Sequence, residues 1–225
     1  MPAGEYFYEI IANDNDARLA AQLLAEEFSA WNPITSFDRI SPQQFFEQCA
    51  WPLVQRTWSE GVSMLARQHS TGEIVAATIA GDLFLQHQNE QFSDISNRSS
   101  AIAVDDLLNE MDDLFISRDF GQELQANMVL HITLGAVRHE HSGKGIASEM
   151  RELIAENARK RKGFQYLLVQ TTNEATRHIY LKKMNGKEVT IMDPTTWLWK
   201  KQGDQLIYPY KDYRGGCIPN ILVKL

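Results

Sequence analysis

Two glycines stand where a strand pattern changes into a helix pattern. The alternating apolar run Met128–Val137 predicts a strand, and residues 146–162 carry apolar side chains at helical spacing. Ser142-Gly-Lys-Gly-Ile-Ala147 lies across the junction. The first N–H groups of a helix have no partner inside it and attract anions, and glycine allows a tight turn and close approach of a ligand. The junction therefore predicts a pyrophosphate site at a helix N-terminus, with an ordinary glycine-containing turn as the alternative.

The junction differs from the two best-known phosphate loops. A P-loop requires a glycine five residues before Gly-Lys-Ser/Thr, whereas here Arg138 takes the first position and Gly145 follows Lys144. A dinucleotide fingerprint requires a third small residue, and an acidic residue at the end of a second strand. Ser148 meets the first requirement, but no acidic residue stands in the second position. The sequence thus disfavours both of these motifs.

Composition limits the class of protein. The chain has 225 residues, of which 44% are hydrophobic and 23% charged, and its net charge is −7. No basic run indicates nucleic-acid binding, and the acidic balance suits cationic substrates. No stretch is apolar enough to span a membrane, and the first residues lack the basic start and apolar run of a signal peptide. We therefore expect a cytoplasmic protein that binds neither nucleic acid nor membrane.

Strand and helix patterns alternate along the chain without a long linker, which favours one α/β domain over two. Asp14 or Asp16 can cap the first helix, and Pro52 can kink the second. The predicted elements are a strand over 6–12, helices ending near residues 31 and 61, a hairpin over 62–67 and 74–80, a polar loop over 86–100, a helix over 102–115, the strand and helix already described, and then a strand over 166–170, a helix over 173–183 and strands over 189–192, 197–200 and 221–224.

A second segment follows the predicted strand 166–170. It places Asn173 seven residues before Tyr180 in Thr172-Asn-Glu-Ala-Thr-Arg-His-Ile-Tyr-Leu-Lys182. Together with the glycine loop upstream, it resembles the GNAT superfamily of N-acyltransferases. Residues 142–147 resemble the family's acetyl-CoA motif Arg/Gln-x-x-Gly-x-Gly/Ala, with Ser142 in place of Arg or Gln. Residues 173–182 resemble its segment Asn-x-x-Ala-x-x-Leu-Tyr-x-Lys.

The resemblance implies a fold and a reaction. The fold is α/β, a single domain over 1–225 with a mixed, mostly antiparallel central sheet flanked by helices, and with residues 85–127 as an insertion or lid. The reaction is transfer of an acetyl group from acetyl-CoA to a primary amine, expected to be a small molecule, without a metal. The residues implied to bind acetyl-CoA are Leu134, Ala136, Val137, Ser142, Gly143, Lys144, Gly145, Ile146, Ala147 and Asn173.

The resemblance also implies a mechanism of direct attack on the thioester. Asn173 would hold the pantetheine arm, and Tyr180 would give its proton to the departing CoA thiolate. A phenol suits this step because it is neutral at pH 7 and can protonate a basic thiolate. A backbone N–H of the strand 128–137, splayed by a bulge in this family, would stabilise the oxyanion, and Gly135 would ease such a bulge.

A narrower resemblance concerns the acceptor side. The C-terminal segments 208–213 and 220–225 are similar to the end of the arylalkylamine N-acetyltransferase-like branch. Residues 28–33 are similar to its Phe-x-x-Asp-Glu-Pro-Leu segment, but Asn32 stands where that branch has a glutamate base. Glu26 and Glu27 precede this segment on the first helix, and Glu27, four residues after Leu23, lies at the edge of the apolar face and can reach the cleft. We expect Glu27, Trp31 and Asn32 to face the amine, and as base candidates Glu26 and Glu27 rank below His131.

The general base is therefore assigned from other residues. His131 matches the first of two alternating histidines on this strand in the vertebrate arylalkylamine enzymes, and it would titrate near neutrality. We predict it as the base or as a residue that holds water, with a structural histidine as the alternative. His139-Glu-His141 alternates within a loop and lacks further ligands, and Cys49 and Cys217 lack the spacing of a metal pair.

Three alternatives stay open. The acceptor is a small amine, or else a protein N-terminus or lysine, which would need an open groove rather than an aromatic pocket. The third is a non-catalytic sensor that binds acyl-CoA. The segment 85–127 discriminates between the acceptors, because a small substrate is favoured if this segment folds over the site. The sequence leaves the acyl chain length and a homodimer open.

Overall fold

A seven-stranded mixed sheet organises the chain in this computed structural model, which describes residues 4–92, 102–200 and 206–225. The strands are β1 (Tyr6–Ile10), β2 (Met64–Gln68), β3 (Ile74–Asp82), β4 (Val129–Val137), β5 (Tyr166–Gln170), β6 (Lys187–Met192), β7 (Trp199–Lys200), β8 (Leu206–Ile207) and β9 (Ile218–Lys224). The helices are α1 (Asp14–Trp31), α2 (Pro33–Phe37), α3 (Pro42–Phe45), α4 (Trp51–Thr57), α5 (Leu83–Phe92), α6 (Ala103–Leu114), α7 (Ile146–Lys162) and α8 (Glu174–His178).

The order of strands in the sheet is β1-β2-β3-β4-β5-β9-β6, and β7 pairs separately with β8. Every neighbouring pair in the large sheet is antiparallel except β4 and β5, which are parallel. A parallel pair needs a crossover connection, and α7 supplies it. The predicted α/β fold, with a mixed and mostly antiparallel sheet flanked by helices, is confirmed.

Helix α1 begins at a cap that the sequence interpretation placed wrongly. Asn13, not Asp14 or Asp16, is the N-cap, and its side chain accepts a hydrogen bond from the backbone N–H of Asp16. Asparagine caps as well as aspartate does, so residue type alone could not choose among neighbouring positions. Helix α1 ends at Trp31, as predicted.

The second helical region changes its hydrogen-bonding pattern just before Pro52, and its backbone stays helical there. Ser41 caps α3 by accepting from the N–H of Gln44, and a π-helical turn over Phe46–Ala50 joins α3 to α4. Pro52 lies in the first turn of α4, where its missing N–H costs no internal hydrogen bond. A short 3₁₀ turn then ends at Gly61, whose φ of 69° is left-handed.

Residues 86–92 form part of α5, so the predicted loop over 86–100 is wrong in that part, and 93–101 lie outside the described residues. The polar composition of these residues predicted a loop where the structure has a helix. Helix α5 starts because the Asp82 side chain accepts from the N–H of Phe84, and buried Leu83 anchors its first turn. The predicted helix over 102–115 is confirmed as α6, which continues as a π-helical turn over Phe115–Asp119.

Two large apolar cores cover the two faces of the sheet, and a third, smaller cluster joins Leu83, Phe115 and Phe120 to β4 and β5. One large core joins α1, α2, α4 and α6 to one face, and the other packs α7 and the buried Tyr180 on the opposite face. Among the described residues, no helix has the length and apolarity that crossing a membrane would require.

Position on α1 decides how much a leucine contributes to stability. We predict that Leu23→Ala, at 1% exposure, lowers the free energy of unfolding by about 2–5 kcal/mol through lost burial and a cavity. Leu19→Ala, one turn earlier at 43% exposure, is the matched control and should change it by less than about 0.5 kcal/mol. Urea denaturation measures both, and equal losses would contradict the described packing of α1.

Candidate active site

The sheet opens between β4 and β5. These strands pair from Val129 opposite Tyr166 to Ile132 opposite Val169, and their pairing stops there. Residues 134–137 of β4 still pair with β3 on the other side. The β3–β4 register shifts at Thr133, which is the bulge that interrupts β4. The opening contains a cavity of about 670 Å³.

The glycine loop lies at one end of this cavity. Gly143 and Gly145 have φ values of 78° and 83°, a left-handed conformation that favours glycine, and Gly145 is the N-cap of α7. All of the residues predicted to bind acetyl-CoA line the cavity except Lys144. The Lys144 ammonium instead lies 3.1 Å from a carboxylate oxygen of Glu5.

Tyr180 lies at the inner wall of the cavity. It is fully buried, in a π-helical turn that continues α8, and its hydroxyl makes no hydrogen bond. Burial raises the pKa of the phenol, and the positive charge of Arg151 opposes that rise. The group is thus a neutral proton donor without a partner in the protein, facing the space where β4 and β5 diverge.

Further buried polar atoms in the cavity wall also lack partners. They are the Thr133 hydroxyl at the bulge, the Thr171 hydroxyl after β5 and Nε of Arg151. Buried polar groups in proteins are nearly always hydrogen-bonded, so unpartnered atoms that converge on one cavity indicate a polar ligand there. Thioester and amide groups satisfy that requirement.

Asn173 caps α8 with its side chain and also lines the cavity. Its Oδ1 accepts hydrogen bonds from the N–H groups of Ala175 and Thr176 and thereby caps α8. Asn173 lies shortly after the end of β5, on the opposite side of the opening from the glycine loop.

The C-terminal end of α1 covers the mouth of the opening. Trp31 stacks on His139 of the β4–α7 loop at 4.1 Å between ring centroids, and Asn32 donates a 2.9 Å hydrogen bond to Thr172 after β5. Burial raises the pKa of the Glu27 carboxyl, and the nearby backbone of His139 opposes that rise. Glu27, Trp31 and Asn32 all line the cavity.

His131 does not line the cavity. It precedes the opening, faces Leu168 across the β4–β5 pair and is 3% exposed. Its Nδ1 lies 2.8 Å from Oε1 of Gln86, and its Nε2 lies 3.0 Å from Oε1 of Gln170 and 3.7 Å from the Asp112 carboxylate. Both ring nitrogens are engaged, so this placement disfavours the predicted role as base. The alternation of side chains along β4 could not show that His131 lies outside the cavity. That depends on where β4 stops pairing with β5, which is one residue later, at Ile132.

An apolar pocket extends the cavity on the α1 face. Phe28 and Phe45 form one side, and Val104, Asp105 and Leu108 of α6 close the other. Helix α6 belongs to the segment 85–127, and it thus contributes directly to the cavity. Asp105 is a carboxylate in a mostly apolar wall, where it suits a cationic or hydroxylated group.

Gly135 serves a different purpose from the one expected. The bulge lies at Thr133, whereas Gly135 makes room for the Arg151 side chain, because a Cβ there would lie 2.3 Å from its Nη2.

Among the residues that the structure describes, no group of three or more histidine, cysteine, aspartate or glutamate side chains is arranged to hold a metal.

The sequence interpretation missed several residues of the cavity wall. Arg151 had a detectable signal, because it falls on the apolar stripe of α7 together with Ile154 and Ala158, all three of which are buried. Thr171 and Asp105 had no local signal. They reach the cavity only through the packing of β5 and α6.

The sequence matches one family. The pattern described as "Acetyltransferase (GNAT) family" matches residues 26–186, which include α6, the glycine loop and Tyr180. No curated protein shows significant sequence similarity to the chain.

Solved structures share the whole fold at low sequence identity. The C-terminal condensation domain of Ebony in complex with beta-alanyl-dopamine has a TM-score of 0.75 at 11% identity, over 98% of each chain. The Drosophila melanogaster polyamine N-acetyltransferase, which forms N-acetylagmatine, has a TM-score of 0.69 at 13% identity, over 98% of this chain and 100% of that one. Arylalkylamine N-acetyltransferase 2 from Aedes aegypti has a TM-score of 0.68 at 16% identity, over 98% and 99%.

The left-handed conformation of Gly145 predicts how a substitution there changes the affinity for acetyl-CoA. Gly145→Ala forces a side chain into a left-handed residue at the N-terminus of α7, so we predict at least a tenfold weaker affinity for acetyl-CoA by calorimetry. Gly163→Ala is the matched control, because Gly163 has a φ of 79° at the other end of the same helix. Free CoA should follow acetyl-CoA, whereas NADH should not bind. Equal dissociation constants for the two variants would argue against a pyrophosphate site at this loop.

Proposed function

The chain belongs to the acetyltransferase (GNAT) family, and we propose that it transfers an acetyl group from acetyl-CoA to the nitrogen of a small primary amine. One observation carries the proposal: β4 and β5 diverge over a single cavity that joins the glycine loop, a buried phenol and a pocket closed by α6. Its volume of about 670 Å³ lies within the range of small-molecule sites.

Acetyl-CoA fits the residues along this opening. Its pyrophosphate would accept hydrogen bonds from the N–H groups around Gly143 and Gly145 at the start of α7. Its pantetheine arm carries two amides and would lie along residues 133–137, which β5 leaves uncovered. The Asn173 side chain, on the other side of the opening, would hold the same arm. This arrangement supports the proposal because the pyrophosphate and the pantetheine amides would each meet polar protein groups.

The proposed reaction proceeds by direct attack. The neutral amine attacks the thioester carbonyl, and a backbone N–H beside the Thr133 bulge stabilises the resulting oxyanion. The C–S bond then breaks, the electron pair leaves on sulfur, and Tyr180 protonates the thiolate. The proton lost by the amine nitrogen restores the phenol. Holding the amine and the thioester in one cavity supplies much of the rate.

Glu27 is the proposed base in place of His131. An amine arrives mostly as ammonium and must lose a proton before attack. The Glu27 carboxyl lines the cavity, and burial raises its pKa above the ordinary 4.5, which makes the carboxylate a better proton acceptor. Arg138 and His139 lie close enough to oppose part of that rise.

The form of the acceptor pocket favours a small amine over a protein. A protein N-terminus or lysine needs a groove that admits a peptide backbone. Here α1 bridges the mouth through Trp31 and Asn32, and α6 closes the pocket with Val104 and Leu108. Several structural neighbours also act on small amines, including agmatine and arylalkylamines.

A substrate panel tests the proposed function. With saturating acetyl-CoA, we expect release of CoA thiol with arylalkylamines or with agmatine-like amines, at a kcat/KM at least tenfold above that for peptides bearing a free N-terminus or lysine. The reason is the closed pocket of Phe28, Phe45 and α6. Faster turnover of peptides would contradict the small-amine assignment. Tight acetyl-CoA binding without thiol release for any amine would indicate a sensor instead.

The proposed base predicts a pH dependence. A raised pKa means that Glu27 takes up a proton at a higher pH than an ordinary glutamate, and the protonated form cannot act as base. Activity should therefore fall as the pH decreases through that pKa. Glu27→Gln should lower kcat/KM about 100-fold and abolish this acidic limb. Glu26→Gln is the matched control, because the neighbouring Glu26 pairs with Arg138. An unchanged acidic limb in Glu27→Gln would exclude Glu27 as base.

A further inference from the structure

Arg151 is a buried cation without a counter-anion. It is 3% exposed, and its Nη1 donates a 2.8 Å hydrogen bond to the Thr78 hydroxyl. The described residues include no carboxylate within ion-pair distance of it, and its Nε has no partner. Burying an unpaired charge costs several kcal/mol. When a folded protein retains an unpaired buried cation despite this cost, we expect a nearby group that uses its positive charge.

The fold makes space for this guanidinium at the reacting end of the cavity. Its Nη2 occupies the place where a side chain at Gly135 would begin, against the part of β4 that β5 leaves uncovered. Arg151 and Tyr180 line the same cavity, where both are buried and where Nε of Arg151 and the Tyr180 hydroxyl lack hydrogen-bond partners. The positive charge of Arg151 also opposes the rise that burial causes in the pKa of Tyr180. A buried cation and a buried phenol, each with an unpartnered polar atom, therefore share the wall of one cavity.

We propose that Arg151 is a positioning residue that stabilises the tyrosinate form of Tyr180 during acetyl transfer. This inference rests on the proposed function, in which Tyr180 protonates the CoA thiolate. In that step the phenol O–H bond breaks, an S–H bond forms, and the negative charge moves from sulfur to the phenolate oxygen. The cavity then holds a buried tyrosinate until the amine nitrogen returns a proton to it.

A permanent cation beside the phenol resolves the energetic problem of that step. Without Arg151, the transfer would leave an isolated anion in a fully buried position. With it, the transfer converts an unpaired cation into an ion pair, and this attraction is strong where water is excluded. Arginine suits the role because its guanidinium stays protonated at every relevant pH. The desolvation of Arg151 is thus offset in the reacting complex rather than in the resting protein.

A double-mutant cycle tests the proposal. The variants are Arg151→Met, Tyr180→Phe and the pair, with Arg159→Met as a control that removes an exposed arginine from the same helix. We expect Tyr180→Phe to lower kcat about 100-fold and Arg151→Met to lower it about 10- to 100-fold, with the acetyl-CoA dissociation constant nearly unchanged. The pair should be no slower than Tyr180→Phe alone, because Arg151 acts through the phenol.

A spectroscopic titration supplies a readout that a merely structural role would not move. The tyrosinate absorbance of the wild type minus that of Tyr180→Phe reports Tyr180 alone. In the Arg151→Met background this titration should move to higher pH, and Arg151→Lys should restore it in part. If Arg151→Met does not fold, Thr78→Val loosens the guanidinium while keeping its charge, and the titration should shift in the same direction.

The outcomes separate the two proposals. If Tyr180→Phe keeps full kcat, the phenol is not the acid and the proposed mechanism fails. If Tyr180→Phe loses activity but Arg151→Met costs the same factor in both backgrounds, only the role of Arg151 is overturned. An unmoved Tyr180 titration in Arg151→Met and Arg151→Lys would overturn it as well.

Discussion

The loss of pairing between β4 and β5 after Ile132 and Val169 is the constraint on which the site depends. Backbone N–H and C=O groups inside a protein need hydrogen-bond partners, and residues 134–137 of β4 pair with β3 on one side only. A ligand with amide groups can complete the edge as an additional strand would. The glycine loop follows directly from β4, so in the proposed complex the ligand's charged end would meet the start of α7 and its other end would lie near the phenol.

The end of α1 gives this opening a second, independent support. Trp31 holds the loop after β4 through His139, and Asn32 holds the loop after β5 through Thr172. The two contacts tie together the strands that have separated, and they narrow the entrance on the acceptor side. Asn32 therefore has a structural task where the related branch has a glutamate. The carboxylate proposed for proton removal, Glu27, lies earlier on the same helix and faces the same cavity.

Charge is distributed across the cavity in a way that matches a reaction between an anionic cofactor and a cationic amine. Arg151 and Lys183 line the cavity on the side of α7 and α8, and Glu27 and Asp105 line it on the side of α1 and α6. In the proposed reaction, this arrangement would separate the two substrates before they react. Tyr180 and Arg151 line the same cavity, which is what the proposed passage of negative charge from sulfur to the phenol requires.

Local patterns predicted those parts of the site that depend on local structure. The alternation of residues 128–137, the left-handed glycines and the spacing of Asn173 and Tyr180 are properties of short segments, and they correctly predicted β4, the start of α7 and the helix after β5. The α/β class followed from the order of the elements, and the mostly antiparallel sheet was implied by the resemblance to the GNAT superfamily.

Tertiary packing decided the rest. His131 belongs to β4 as predicted, but its environment is set by Gln86 and Gln170 from other elements. The helical start of α5 depends on buried Leu83 and on Asp82, although the residues that follow are polar. In the sequence, Gly135 indicates an irregularity in the strand. The structure instead explains the absence of a side chain there by the position of the Arg151 guanidinium.

A crystal structure of the protein with acetyl-CoA tests the central claim most directly. The account predicts the pyrophosphate at Gly143–Ala147, the pantetheine paired with residues 133–137 of β4, and the thioester sulfur within hydrogen-bond distance of the Tyr180 hydroxyl. A cofactor bound outside the opening between β4 and β5, or a sulfur remote from Tyr180, would contradict it.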